Sequence, residues 1–408
     1  MNTPSNPDAR RIDRNLGKIL ALRFLGDFLP IAPVLILYYT ANGLNSTQIF
    51  TVQALFHLAV LLFEVPSGYL ADVVGRKRTL VLGALFFPLG LAVYAAGRSF
   101  AAFVLAEFLL AVSVSMRSGC DSALIFDSLK QLGREGEYKR YEGRGALLGR
   151  IGTAISSAAG GLLAAVFLRL PFLVNIASAL LVLPLSLSLG EPDRERRRSP
   201  NPALDILRIC RHCLRDAHIR PVVLLCGLIM ASNLTALWAY FLLYRDLGIR
   251  IGWFGILFAV FQLAGAGGSA LSHAVSERIG GRTVLAMALL SPPILILIGL
   301  LPRLWLLPLV PVNAFLWNLA YPVLLERLNR AVGSDVRATV LSLASMAGSV
   351  MFIAISPLFG FIVDTASLSA AFVALGGFFL VAGALLVAAI SRHWLEGRGE
   401  GSAGPIRI

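Results

Sequence analysis

Apolar runs recur along this chain with only short polar breaks between them. They fall at 18–40, 49–71, 79–97, 101–128, 145–168 and 171–190, and again at 221–244, 253–275, 283–301, 303–326, 339–363 and 369–391. Each can cross a hydrocarbon core of about 30 Å as a helix rising about 1.5 Å per residue. The pattern predicts an all-α integral membrane protein with twelve transmembrane helices in two pseudo-symmetric six-helix bundles. Its divisions are an N-terminal bundle over 1–190, a linker over 191–220, a C-terminal bundle over 221–391 and a tail over 392–408. The linker opens charged and Pro-rich, Glu191 to Pro202. Residues 203–215 then show helical periodicity, which predicts a helix along the membrane surface with Arg211 and Arg215 on a solvated face or, as the alternative, against anionic headgroups.

Composition agrees with a membrane chain: 57% of the residues are hydrophobic and 14% are charged, against about 25% charged in soluble domains. The net charge of +13 raises nucleic acid as a partner, and its distribution removes that reading. If both termini share the cytoplasmic side, and Lys18 and Arg303 at the span edges are counted with the adjoining loops, 28 of the 36 Lys and Arg residues fall in cytoplasmic segments, 5 in the opposite loops and 3 within spans. The positive-inside rule then places both termini of a multi-pass inner-membrane protein in the cytoplasm. Residues 1–17 are polar, so the expectation is a first apolar run retained as a span and not a cleaved signal.

Little supports cofactor or enzyme chemistry. Cys120 and Cys226 lie in predicted spans, and Cys210-Arg-His-Cys213 has no second cysteine pair to complete a zinc site. No G-x-x-x-x-G-K-[ST] loop is present to hold ATP. Neither a metal nor a cofactor is expected, and a membrane-embedded enzyme or sensor is the disfavoured class.

Sliding the sequence by 205 positions lays Glu277-Arg-Ile-Gly280-Gly-Arg282 over Asp72-Val-Val-Gly75-Arg76-Lys77, in the loop after the second span of each half. Parallel repeats of six spans are one transporter layout, with the site at their interface. The first copy reads in full Gly68-Tyr-Leu-Ala-Asp72-Val-Val-Gly75-Arg76-Lys77-Arg78. Its glycines permit a sharp turn at the membrane surface, and its bases anchor to headgroups.

That segment resembles the G-x-L-A-D-x-x-G-R-K loop of the major facilitator superfamily, and span number, linker and half-repeat extend the resemblance over the whole chain. The resemblance implies a secondary carrier working by alternating access. It also implies a gating cluster of Gly68, Asp72, Gly75, Arg76 and Lys77, with Arg76 paired to an acid at the end of span 4, here Asp127. In style it is nearest the drug:proton antiporters, with two departures. The stretch Gly152 to Gly161 lacks the Gly-Pro pair of their span 5, and Glu107 stands where the family often carries an arginine in span 4.

Ionisable residues within spans are costly and are functional candidates for that reason. The first half holds Arg23, Asp27, Glu64, Glu107, Arg117, Asp121 and Arg150. Arg23 and Asp27 share one face of span 1, and Arg117 and Asp121 repeat the arrangement on span 4. Both pairs fall in the cytoplasmic half, which suggests a quartet of alternating charge. Read along one continuous helix, Glu107 lies about 21 Å outward of Asp121. The expectation is proton exchange at Asp27 and Glu107, tuned by the arginines; the alternative is structural salt bridges. Mid-span polarity in the second half is neutral, and Asn233, Trp238, Gln262, Asn313, Trp317 and Tyr321, with Phe261, are the substrate-cavity candidates. The functional expectation is proton-coupled efflux of a small amphipathic or cationic molecule by a monomer in contact with lipid. Uptake, or movement of a lipid or siderophore-like metabolite, is the alternative.

Overall fold

The structure, a computed structural model, describes residues 7–192, 210, 211, 213–333 and 336–395. Most of the predicted surface helix over 203–215 lies outside these residues, as does 396–408 of the tail. Every regular element among them is helical. In chain order these are α1 (Pro7–Gly26), α2 (Leu35–Ala41), α3 (Ser46–Val74), α4 (Arg76–Ala96), α5 (Phe100–Arg117), α6 (Cys120–Gln131), α7 (Tyr138–Val166) and α8 (Leu170–Leu187). They are followed by α9 (Ile219–Asp246), α10 (Phe254–Ile279), α11 (Gly281–Ala288), α12 (Ser291–Leu300), α13 (Leu309–Ala331), α14 (Arg337–Thr365) and α15 (Leu368–Leu395). Among the described residues, eleven helical stretches are long and apolar enough to cross a membrane. Large apolar side chains such as Leu62, Leu162, Leu181, Leu263, Val381 and Leu385 stand exposed, as suits a chain surrounded by lipid and not by water.

Three predicted spans are not continuous helices. The first, expected over 18–40, is α1, a break, a 3-10 turn at Ala32–Val34 and then α2. Pro30 and Pro33 account for the break, because each lacks an N–H and its ring collides with the preceding turn. The span expected over 101–128 is α5 and α6 joined through Ser118 and Gly119, the latter at a φ of +72° that favours glycine. The span expected over 283–301 parts at Leu289 and Leu290, ahead of Pro292 and Pro293. Hydropathy averages over such interruptions, since the flanking residues stay apolar.

The chain packs as two compact units. Of the described residues, the first comprises those within 1–44, 55–199 and 250–259; the second comprises those within 45–54, 200–249 and 260–408. Within the first, Leu16, Ile19 and Leu22 of α1 pack with Leu80, Leu124, Ile125 and Leu129 into one buried cluster. The opening turns of α10 also belong here, and Gly255 lies so close to the Ser157 carbonyl that no side chain would fit.

In the second unit, Gly227 of α9 lies against Ala347 of α14. The first turn of α3 is held there by Asp364, whose carboxylate accepts from the Ser46 and Thr47 amides at 2.9 and 2.7 Å and from the Thr47 hydroxyl at 2.7 Å. This satisfies donors that a helix start leaves open. Gly75 and Gly280, 205 positions apart in the repeated loop, have the same backbone form, with φ and ψ of 121° and 144° and of 81° and 143°. Each opens the helix that follows it.

Candidate functional site

Two of the breaks meet in the first unit. Arg23 occupies the last turn of α1, and Asp27 follows the helix end. Arg117 closes α5, and Asp121 stands in the first turn of α6. Each base thus sits where a helix dipole favours positive charge, and Asp121 sits where one favours negative charge. The pairs cross between helices. Arg23 Nε lies 2.8 Å from Asp121 Oδ2, and Arg117 Nη2 lies 2.8 Å from Asp27 Oδ1. The Arg23–Asp121 pair is the more enclosed, with side chains 11% and 19% exposed, against 34% for Arg117 and 39% for Asp27.

A fifth group completes the cluster. Glu142 of α7 accepts from Arg23 Nη2 on both oxygens, at 2.9 and 3.1 Å. Sequence reasoning passed over Glu142 by assigning it to a polar loop, whereas α7 begins at Tyr138, upstream of the predicted span at 145. Its signal was its place one turn before the Gly145, Gly149, Gly152 series.

Those glycines make the site. Side chains at Gly145 and Gly149 would collide with Arg23 and with the Asp27 carboxylate, and side chains at Gly152 and Gly160 would meet the Phe24 and Pro30 carbonyls. A glycine-lined face of α7 thereby receives the broken span at close range, as small residues do between membrane helices. The polar backbone freed at the break is also provided for. Thr153 Oγ1 donates to the Asp27 carbonyl at 3.1 Å, Asn175 Nδ2 donates to the Phe28 carbonyl at 3.1 Å, and the Leu29 amide donates to Ser156 Oγ at 3.0 Å. Irregular backbone at membrane depth persists only where such partners exist. A partly open cavity touches Arg23, Arg117 and Asp121, with Ser113 and Ser186 and the apolar side chains of Leu22, Leu80, Phe87 and Val182 among the rest of its lining.

Glu107 lies elsewhere. It is 4% exposed and accepts from the Tyr39 hydroxyl at 2.9 Å. Tyr39 also hydrogen-bonds the Tyr94 hydroxyl, and both rings pack on Phe103. Because the helix breaks at Gly119, the expected 21 Å rise from Asp121 to Glu107 along one helix does not apply. The second unit holds a neutral counterpart. Asn313 of α13 donates to the Tyr240 hydroxyl at 2.7 Å and accepts from Ser291, with all of Asn313 buried. Glu64 and Arg150 are exposed, on α3 and α7.

Of the remaining second-half candidates, Gln262 is exposed, and Trp317 is buried beside Phe379. Tyr321 is half-buried, with Ser345 as a hydrogen-bond partner. Trp238 Nε1, Trp317 Nε1 and Asn233 Oδ1 are buried polar atoms without a protein partner among the described residues. Phe261 packs on Tyr240.

At the repeated loop, Arg76 pairs with Asp127 and also donates to the Ala123 carbonyl. Gly68 and Asp72 are exposed. Glu191 adds a connection that sequence reasoning did not draw. Its carboxylate accepts from the Arg76 and Lys77 amides at 2.9 and 3.0 Å and packs against Gly75. Asn15 clamps the adjacent Gly190, accepting from its amide at 2.8 Å and donating to its carbonyl at 2.9 Å.

A profile of the Major Facilitator Superfamily matches residues 19–355. The chain belongs to the major facilitator superfamily. It is 27% identical over 364 residues to YxaM of Bacillus subtilis, an uncharacterized MFS-type transporter, covering 86% of this chain and 89% of that one. It is 26% identical over 251 residues to the quinolone resistance protein NorA of Staphylococcus aureus, covering 59% of this chain and 63% of NorA. Among solved structures, the nucleoside transporter NupG superposes with a TM-score of 0.78 at 13% identity, covering 93% of this chain and 99% of NupG. A bacterial homolog of the human lysosomal transporter Spinster gives 0.77 at 18% identity, covering 98% of this chain and 100% of that one. These likenesses establish the fold, and the superfamily membership makes the chain a multi-pass membrane transporter and not an enzyme.

Proposed function

We propose that this transporter is a secondary carrier working by alternating access, which exports a small amphipathic or cationic organic molecule in exchange for protons. The observation that carries the reading is the charge count at the crossed pairs: among the described residues, Asp27, Asp121 and Glu142 form ion pairs only with Arg23 and Arg117. Three carboxylates against two guanidinium groups leave one negative charge over. An unbalanced charge at membrane depth is costly, so a bound proton or organic cation stabilises the cluster.

Asp27 takes the exchanging role, being half-exposed and bound to a single arginine contact at the edge of a helix break. Protonating it removes the charge that holds Arg117, which alters the tie between α1 and α5. Glu107 is assigned a static role, because its carboxyl is buried in a tyrosine cage whose counterpart in the other unit uses an amide. The gating cluster of Gly68, Asp72, Gly75, Arg76, Lys77 and Asp127 is assigned the lock on one conformational state, braced by Glu191. Asn233, Trp238 and Trp317, with unanswered polar atoms, are assigned to substrate contact. Similarity to the quinolone resistance protein NorA supports export over uptake, and the distribution of Lys and Arg supports cytoplasmic termini.

Thermal stability of the purified protein over a panel of organic cations, anions and neutral amphiphiles, at one acidic and one alkaline pH, tests this. Stabilisation by cations that weakens at acidic pH is expected. Stabilisation by anions alone, or stabilisation independent of pH, contradicts it.

A further inference from the structure

We infer that Glu142 is the acid through which this site exchanges its proton with the cytoplasm. The inference rests on the proton-coupled reading above and adds a route to it.

Position comes first. Glu142 precedes Gly149, the residue whose missing side chain makes room for Asp27, by seven positions on α7, or about 10 Å along a helix. It therefore stands one to two turns nearer the basic end of the bundle than Asp27. Its side chain is 36% exposed, whereas Asp121 beside it is 19% exposed. The cluster thus has a half-exposed acid at each end, Asp27 and Glu142, with an enclosed pair between them.

Arg23 joins the two ends. Its Nε holds Asp121 and its Nη2 holds Glu142. A planar guanidinium can release one acid while keeping the other, so Glu142 can leave Arg23 without exposing that charge unpaired. The exchange balances as follows. A proton leaves Asp27 through bridging water, and Arg117 re-pairs with the Asp27 carboxylate. An oxygen of Glu142 accepts the proton and lets go of Arg23, which stays on Asp121. The neutral acid then gives the proton to water at the basic end, and Glu142 returns to Arg23.

The surroundings suit such a port. From α1 come Arg23 and Asp27, from α6 Asp121, and from the turn Glu135–Glu137 two further acids, of which Glu137 is paired with Arg134 at 2.6 Å. The neighbouring α8, Leu170–Leu187, brings no ionisable side chain. On its own helix Glu142 is flanked by Lys139, Arg140 and Arg144, all three exposed.

The test uses the full chain in proteoliposomes of known orientation, with the pH of the cytoplasmic and external faces varied separately. In Glu142→Gln, a fall of at least about tenfold in proton-coupled rate is expected, with the dependence on cytoplasmic pH flattened and that on external pH retained. Glu142→Asp, which keeps a titratable acid, is expected to restore the cytoplasmic pH dependence. It carries the test if Glu142→Gln is not recovered folded: a flat profile in Glu142→Asp contradicts the inference. An unchanged cytoplasmic profile in Glu142→Gln also overturns it. If Asp27→Asn abolishes coupling while Glu142→Gln does not, only the route fails; if Asp27→Asn remains coupled, the proton reading itself fails.

Discussion

Arg117, at the end of α5, reaches Asp27, just past the end of α1, with Nη2 and Oδ1 2.8 Å apart. Each residue stands at a helix interruption, and among the described residues neither makes another ion pair. It joins two half-helices that the chain could instead have left continuous, and a change of charge at Asp27 is felt at both.

The energetic coupling of that pair is measurable. Removing either partner leaves a half-buried charge unanswered, while removing both does not. Arg117→Met and Asp27→Asn are each expected to lower thermal stability in detergent. The double variant should lose less than the sum, with a coupling of about 0.5–3 kcal/mol. Strict additivity would mean that the pair contributes nothing.

Glycine placement on α7 makes a graded prediction. Gly149→Ala forces a methyl group onto the Asp27 carboxylate and Gly160→Ala forces one onto the Pro30 carbonyl, so each should destabilise by about 1–3 kcal/mol, the usual cost of overpacking. At Gly143 an added carbon meets nothing within 4 Å. Gly143→Ala should be neutral or stabilise by up to about 1 kcal/mol through helix propensity. Melting temperatures of the three variants decide this, and equal effects would contradict the packing described.

The break in the first span depends on its side-chain partners. Asn175→Leu strips the Phe28 carbonyl of its donor at membrane depth and is expected to cost about 1–3 kcal/mol. Hydrogen exchange should rise in α1 and α7 together. Unchanged exchange in both helices would mean that the break needs no such support.

Much of this was legible in the residues themselves. The apolar runs located the spans, and the i,i+4 spacing of Arg23 with Asp27 and of Arg117 with Asp121 marked the residues that the structure brings together. The crossing of the pairs was not legible, because spacing along one helix says nothing of which neighbour it faces. Continuous hydropathy also hid the interruptions at Gly26 and Gly119, where apolar residues continue while the backbone turns. Glu142 was lost to a boundary, since a helix that projects past the apolar run begins in residues that read as loop. Glu107 stood out as a buried charge, but only packing reveals its cage of Tyr39 and Tyr94.

The central claim is that Asp27 binds the exchanged proton, and substrate-driven proton movement in proteoliposomes containing Asp27→Asn tests it most directly. The account predicts that the variant retains substrate binding, moves no protons in response to substrate and loses sensitivity to an imposed pH gradient, while Glu107→Gln still couples. Proton movement by Asp27→Asn at the unsubstituted rate would contradict it.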